Sequence, residues 1–105
     1  MILIATASFP QTSVKQAAIL YGKMKKLPAA IIRHGPYFKV EPGRDIRMIA
    51  VYETDSAAVL EVRKYLEKRF AAFSSVSGFT FTIEEWSTLA DGLAKLASMS
   101  NTTIR

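Results

Sequence analysis

The chain has 105 residues, half of them hydrophobic and 22% charged, a length that suits one hydrophobic core and a composition far from the disordered class. Fourteen basic residues against nine acidic give a formal charge of +5, which attracts anions and acidic surfaces without specifying which. The absence of cysteine removes disulfides and thiolate metal sites as sources of stability or chemistry.

The apolar start, residues 1–10, has no basic flank and is too short to span a bilayer, so it reads as a strand and not a signal peptide. The protein is accordingly expected to be cytoplasmic, with no membrane partner. Within residues 2–8, Ile2, Ile4 and Thr6 alternate with Leu3, Ala5 and Ala7, so both faces are largely apolar and the strand is expected at the centre of a sheet. Ser13-Val14-Lys15-Gln16 has the spacing of a capping box and predicts a helix running to about residue 27. Val14, Ala17, Ala18, Tyr21 and Met24 share one stripe of that helix, while Lys23, Lys25 and Lys26 gather in its expected last turn, where cations suit the helix dipole.

Pro28 stops this helix. Residues 29–40 read as a strand interrupted at Gly35-Pro36, hence an edge or kinked strand, because proline cannot donate to a ladder. Residues 41–45 form a compact turn on composition and lead into a strand at 46–54, making a hairpin. Ile46, Met48, Ala50 and Tyr52 lie on one face of this strand and Arg47, Ile49, Val51 and Glu53 on the other, so its middle is apolar on both sides. Thr54 or Asp55 is placed to cap a helix to residue 73, with Val59, Val62, Leu66, Phe70 and Phe73 as its apolar stripe. After a turn-rich joint at 74–78, Phe79, Phe81 and Ile83 alternate with Thr80, Thr82 and Glu84 as a fourth strand. Thr88 to Asp91 resembles another capping box and predicts a short third helix docked through Leu89, Leu93 and Leu96.

The order strand, helix, strand, strand, helix, strand, appended helix is that of a ferredoxin-like βαββαβ sandwich: an α+β fold with a four-stranded antiparallel sheet and both main helices on one side. One domain is expected over residues 1–99, with a flexible tail at 100–105. The sheet's other side has no cover within the chain, and burying several more aliphatic side chains at roughly 1.5–3 kcal/mol each favours a second copy there, as a homodimer. The runs AVYETDSAAVLEVRKYLEKRF, GFTFTIEEW and RHGPYFKV together resemble the small dimeric α+β-barrel proteins, most of all a bacterial branch of them. That resemblance covers nearly the whole chain. It implies a dimeric barrel, in a superfamily that includes cofactor-free monooxygenases, haem-degrading enzymes, isomerases, dehalogenating enzymes and members with no assigned activity. Fold analogy therefore does not choose the chemistry.

His34 is the sole histidine, next to Arg33 and just before Tyr37, at the Gly35-Pro36 interruption where a bulge re-aims side chains. This is the one place in the chain with a cation, an imidazole and a phenol together. It is the expected ligand site: Arg33 pairs an anion, His34 is the catalytic group that moves a proton, and Tyr37, Tyr52 and Trp86 complete the mouth. The competing reading has Tyr52 and Trp86 closing the core with their polar tips at the surface, and Glu84 and Glu85 pairing with cations across strands. A single histidine, no cysteine and no paired-carboxylate spacing predict no metal, and isolated glycines build no phosphate loop, so no cofactor is expected.

The function expected is a homodimeric small-molecule binder, or a cofactor-free enzyme, acting on a small apolar ligand with an anionic group. Its pocket is placed between sheet and helices, lined from Ile4, Tyr21, His34, Tyr37, Tyr52, Phe81 and Trp86. A structural or regulatory dimer without catalysis is the alternative. An RNA-recognition module has the same element order, but it needs aromatics at the centre of the third strand where this chain has RMIAVYET, so no specific nucleic-acid partner is expected.

Overall fold

A computed structural model describes the backbone of residues 1–103 and the side chains of residues 1–99. The protein is α+β, with strands β1 (Ile2–Phe9), β2 (Ile32–Lys39), β3 (Ile46–Glu53) and β4 (Thr80–Trp86) and helices α1 (Val14–Gly22), α2 (Val59–Ala71) and α3 (Leu89–Thr103). The strands form one antiparallel sheet in the order β2-β3-β1-β4, an arrangement compatible with a ferredoxin-like fold. No helix among the described residues is long and apolar enough to cross a membrane.

Strand alternation sorts the side chains as read from the sequence. Leu3, Ala5, Ala50, Tyr52 and Ile83 are buried on one face, beneath Val62, Leu66 and Phe70 of α2. Toward one end of the same face, Phe9 and Ile46 pack with Ala17 of α1 and with Phe73 and Val76 from the end of α2 and the joint that follows. Phe73 stacks on Phe79 with ring centroids 5.0 Å apart, which carries the core across that joint.

Helix α1 ends at Gly22, five residues before the expected stop. Glycine costs about 1 kcal/mol relative to alanine in a helix, and Lys23, Lys25 and Lys26 beyond it would place like charges on adjacent turns with no carboxylate between them. These lysines follow the helix instead of forming its last turn. The capping box is also not formed: a 3-10 turn over Gln11–Ser13 precedes α1, and Ser13 has φ −98° and ψ 3°, not the extended backbone that aims a cap side chain at its own helix. Ser13 Oγ donates instead to the Ser77 carbonyl at 2.7 Å, and Gln16 Nε2 to the Ser75 carbonyl at 2.9 Å. The start of α1 is thereby tied to the α2–β4 joint.

Neither Thr54 nor Asp55 caps α2 through its side chain; a 3-10 turn over Ser56–Ala58 leads in. The box at α3 is half realised, with the Asp91 amide donating to Thr88 Oγ1 at 3.2 Å. Helix α3 does not dock as expected. Leu89, Leu93 and Leu96 are all exposed, Leu89 by 80%, because α1 and α2 already occupy the covered face of the sheet. The helical backbone continues through Thr103, into the stretch expected to be a tail; residues 104–105 lie outside those described.

The molecule is thin and long. Its extents are 55 × 32 × 19 Å and its radius of gyration is 16.7 Å, against about 13 Å for a compact domain of this length. The shortest extent is that of one sheet layer and one helix layer, so the second face of the sheet is bare.

Candidate functional site

Between the sheet and the helices lies a cavity of about 440 Å³. Its roof is the α1 stripe read from the sequence, Val14, Ala17, Ala18, Tyr21 and, past the helix end, Met24. Its floor comes from Arg33, Pro36, Phe38 and Val40 on or beside β2 and from Ile46, Met48 and Tyr52 on β3, and Arg69, Phe70 and Phe73 close it from the α2 side. The short α1 explains the space: it buries only Ala17, so the region between its far end and edge strand β2 is left unfilled.

Cross-strand register puts Arg33 directly opposite Tyr52 on the covered face, within side-chain reach. Tyr52 is only 3% exposed. Burial pushes its phenol above the ordinary pKa of 10.0, opposed by the positive charges of Arg33 and Arg69. The phenol is therefore protonated across the physiological range and available as a donor. Arg69 is held by a 2.6 Å bond from its Nη1 to the Lys25 carbonyl, which ties α2 to the segment after α1. The outcome is an apolar cavity with two guanidinium groups and a phenol grouped in its wall.

The sequence-predicted site residues are divided by the sheet. Arg33, Tyr52 and Tyr21 line the cavity, together with Pro36. His34, Tyr37, Ile4 and Trp86 are on the opposite, bare face, where register aligns His34 with Val51 and Ile4, and Trp86 with Ile2. The expected cluster of cation, imidazole and phenol is thus not one pocket. Alternation sends adjacent Arg33 and His34 to opposite faces. The pairing shifts between His34 and Tyr37, where Gly35 has φ +94° and Gly35-Pro36 is cis; this returns Tyr37 to the face of His34. Phe81 is half-buried under the helices and stacks on Phe70.

His34 donates from Nε2 to Glu53 Oε2, both side chains being about half exposed. On the bare face the middle is apolar, with Ile4, Ile49 and Val51, and the ends are oppositely charged. Lys39 faces Arg47 at one end, while Glu53 and Glu84 lie toward the other. A more open depression of about 620 Å³ runs along the basic end, against Thr6, Tyr37, Arg47, Ile49 and Thr82. Trp86 is 53% exposed at the far end, on an edge strand.

Sequence reading missed Arg69. It lies between the core stripe and the charged surface of α2, and its spacing alone resembles a solvated cation; only its position one residue before buried Phe70 hinted at a place near the core. Among the described residues no three His, Cys, Asp or Glu side chains converge as a metal ion would need. No family model, curated protein or solved structure matches this chain.

Proposed function

We propose that the protein is a homodimer that binds a small, largely apolar molecule carrying an anionic group, as a binding protein or a cofactor-free enzyme of the dimeric α+β-barrel kind. The cavity between sheet and helices carries this reading: its size falls within the usual range for a small-molecule site, its walls are mostly apolar, and a few polar groups are grouped within it. Arg33 and Tyr52 orient the ligand, and α1 with Met24 shields it from water. His34, Tyr37 and Trp86 belong in this reading to the dimer face and not to the ligand site.

The bare sheet face supports a second copy as its cover. Two sheets related by a two-fold axis perpendicular to the strands bring the Lys39–Arg47 end of one copy over the Glu53–Glu84 end of the other and bury Ile4, Ile49 and Val51 between them. The like-charged cross-strand pair Lys39–Arg47 is unfavourable in an isolated sheet and gains from such a partner. Protein and ligand are both expected within the cytoplasm.

A thermal-shift screen of small aromatic and aliphatic acids tests the ligand site on three proteins: wild type, Ala18→Phe and His34→Ala. Ala18 is exposed and lines the cavity, so a phenyl ring there fills the space without disturbing the core. Hits should stabilise wild type and His34→Ala alike and lose their effect on Ala18→Phe. Hits that persist in Ala18→Phe and vanish in His34→Ala would move the site to the bare face.

A further inference from the structure

We propose that the cavity holds a carboxylate subsite formed by Arg33, Arg69 and the Tyr52 hydroxyl, so that the ligand class is an apolar monocarboxylate. This inference rests on the cavity reading above and narrows it.

The two guanidinium groups come from different layers, Arg33 from edge strand β2 and Arg69 from α2, and both are half-buried in the cavity wall. No Asp or Glu lines the cavity, and among the described residues neither arginine has a carboxylate within salt-bridge distance. Lys39 and Arg44 pair with Glu41 and Arg63 with Glu67, whereas the other cations without such a partner among the described residues, Lys15 and Lys64 for example, are exposed; Arg33 and Arg69 lack one while half-buried. Among the described residues one of the five N–H donors of Arg69 is taken up, at the Lys25 carbonyl. Two partly desolvated positive charges beside an almost fully buried phenol form an arrangement that costs free energy until an anion enters.

The chemistry of the donors selects the anion. Guanidinium forks match the two coplanar oxygens of a carboxylate, and a protonated phenol supplies one further donor and no negative charge. The rest of the wall is mostly apolar, with Phe9, Phe38, Phe70, Phe73, Phe79 and Met24 prominent, and Tyr21 adds one hydroxyl and no further charge. A dianionic phosphate would leave oxygens facing these rings, whereas a carboxylate on an aromatic ring or a medium-length alkyl chain leaves none.

Calorimetric titration of the full chain with benzoate, 2-naphthoate and decanoate, each beside its primary amide, and with 2-naphthyl phosphate tests this at moderate and high salt. At least one acid should bind wild type tenfold or more tightly than its amide and its phosphate counterpart, with the preference shrinking as salt rises. In Arg69→Gln and Arg33→Gln the acid-to-amide ratio should fall to about twofold, because a neutral ligand never used the charge. In Tyr52→Phe the acid should weaken less than in either arginine variant. Equal binding of acid and amide to wild type overturns the carboxylate subsite and leaves the cavity standing as an apolar site; stronger binding of the phosphate also overturns it. Failure of every probe to bind wild type overturns the cavity reading itself. These comparisons are made on wild type, so they decide the matter even where a variant does not fold.

Discussion

Gly78 sits at the joint between α2 and β4 with φ +76°, and a Cβ built on it would lie 2.6 and 2.7 Å from Cγ and Cδ of Pro10. Both the left-handed backbone and the ring contact exclude a side chain, and neither can relax cheaply because Ser13 and Gln16 pin the same joint. Gly78→Ala should cost about 1–3 kcal/mol, read as a lowered urea midpoint with unchanged slope. Tyr52 gives a pH signature at the same scale. Its phenol titrates near 10.0 when unfolded and higher when folded, so the folded state holds the proton more tightly. The stability due to the neutral phenol is complete below about pH 10 and is lost as pH rises through the folded value. Above about pH 10 the wild type should therefore lose stability faster than Tyr52→Phe, in unfolding curves taken at stepped pH; parallel loss in both would contradict the burial argument.

Among elements, α2 and α3 show how differently two amphipathic helices are used. Val62, Leu66 and Phe70 of α2 enter the core, so this helix and strands β1, β3 and β4 make the unit on which folding depends. Helix α3, about 22 Å long, contributes no described residue to either buried cluster. Its first two turns are tied to neighbouring chain, with Asp91 3.8 Å from the chain's amino terminus and Lys95 donating to Ser87 Oγ at 2.8 Å. A chain ending at residue 87 should unfold cooperatively, with its midpoint within a few degrees of the full chain in dilute solution. A collapse of the transition on truncation would mean that α3 is part of the core.

The two faces of β3 separate folding from the proposed association for the molecule as a whole. Ala50 is 1% exposed beneath α2, so Ala50→Asp buries an unpaired carboxylate, costs roughly 3–5 kcal/mol and should unfold the protein. Ile49, its neighbour, points to the bare face and is aligned there with Thr6 and Tyr37. Ile49→Asp should leave the circular dichroism and the unfolding of dilute protein nearly intact, yet reduce the sedimenting mass from about twice the 11.6 kDa chain to the single chain. A wild type that sediments as one chain at micromolar concentration would refute the two-fold cover outright.

The strands, the α2 stripe and the composition of each face were legible in the sequence because side-chain alternation and 3.6-residue periodicity are local consequences of backbone geometry. Ile46, Met48, Ala50 and Tyr52 share a face as read, and the apolar stripe from Val14 to Met24 does look inward. Helix ends were less legible: Ser13 and Gln16 have the spacing of a cap, but the carbonyls of Ser75 and Ser77, distant in sequence, offer them acceptors that a local reading does not contain. The site depended most on tertiary structure. Arg33 and His34 are adjacent in the chain and yet a sheet's thickness apart in function, because alternation puts neighbours on opposite faces and the register shift at Gly35-Pro36 carries Tyr37 away with His34. Arg69 comes near Tyr52 only through the packing of α2 over β3, a proximity between residues 17 positions apart that no periodicity encodes. Local sequence thus determined which residues could face a core, and the packing of α1 and α2 on the sheet decided which of them surround a cavity.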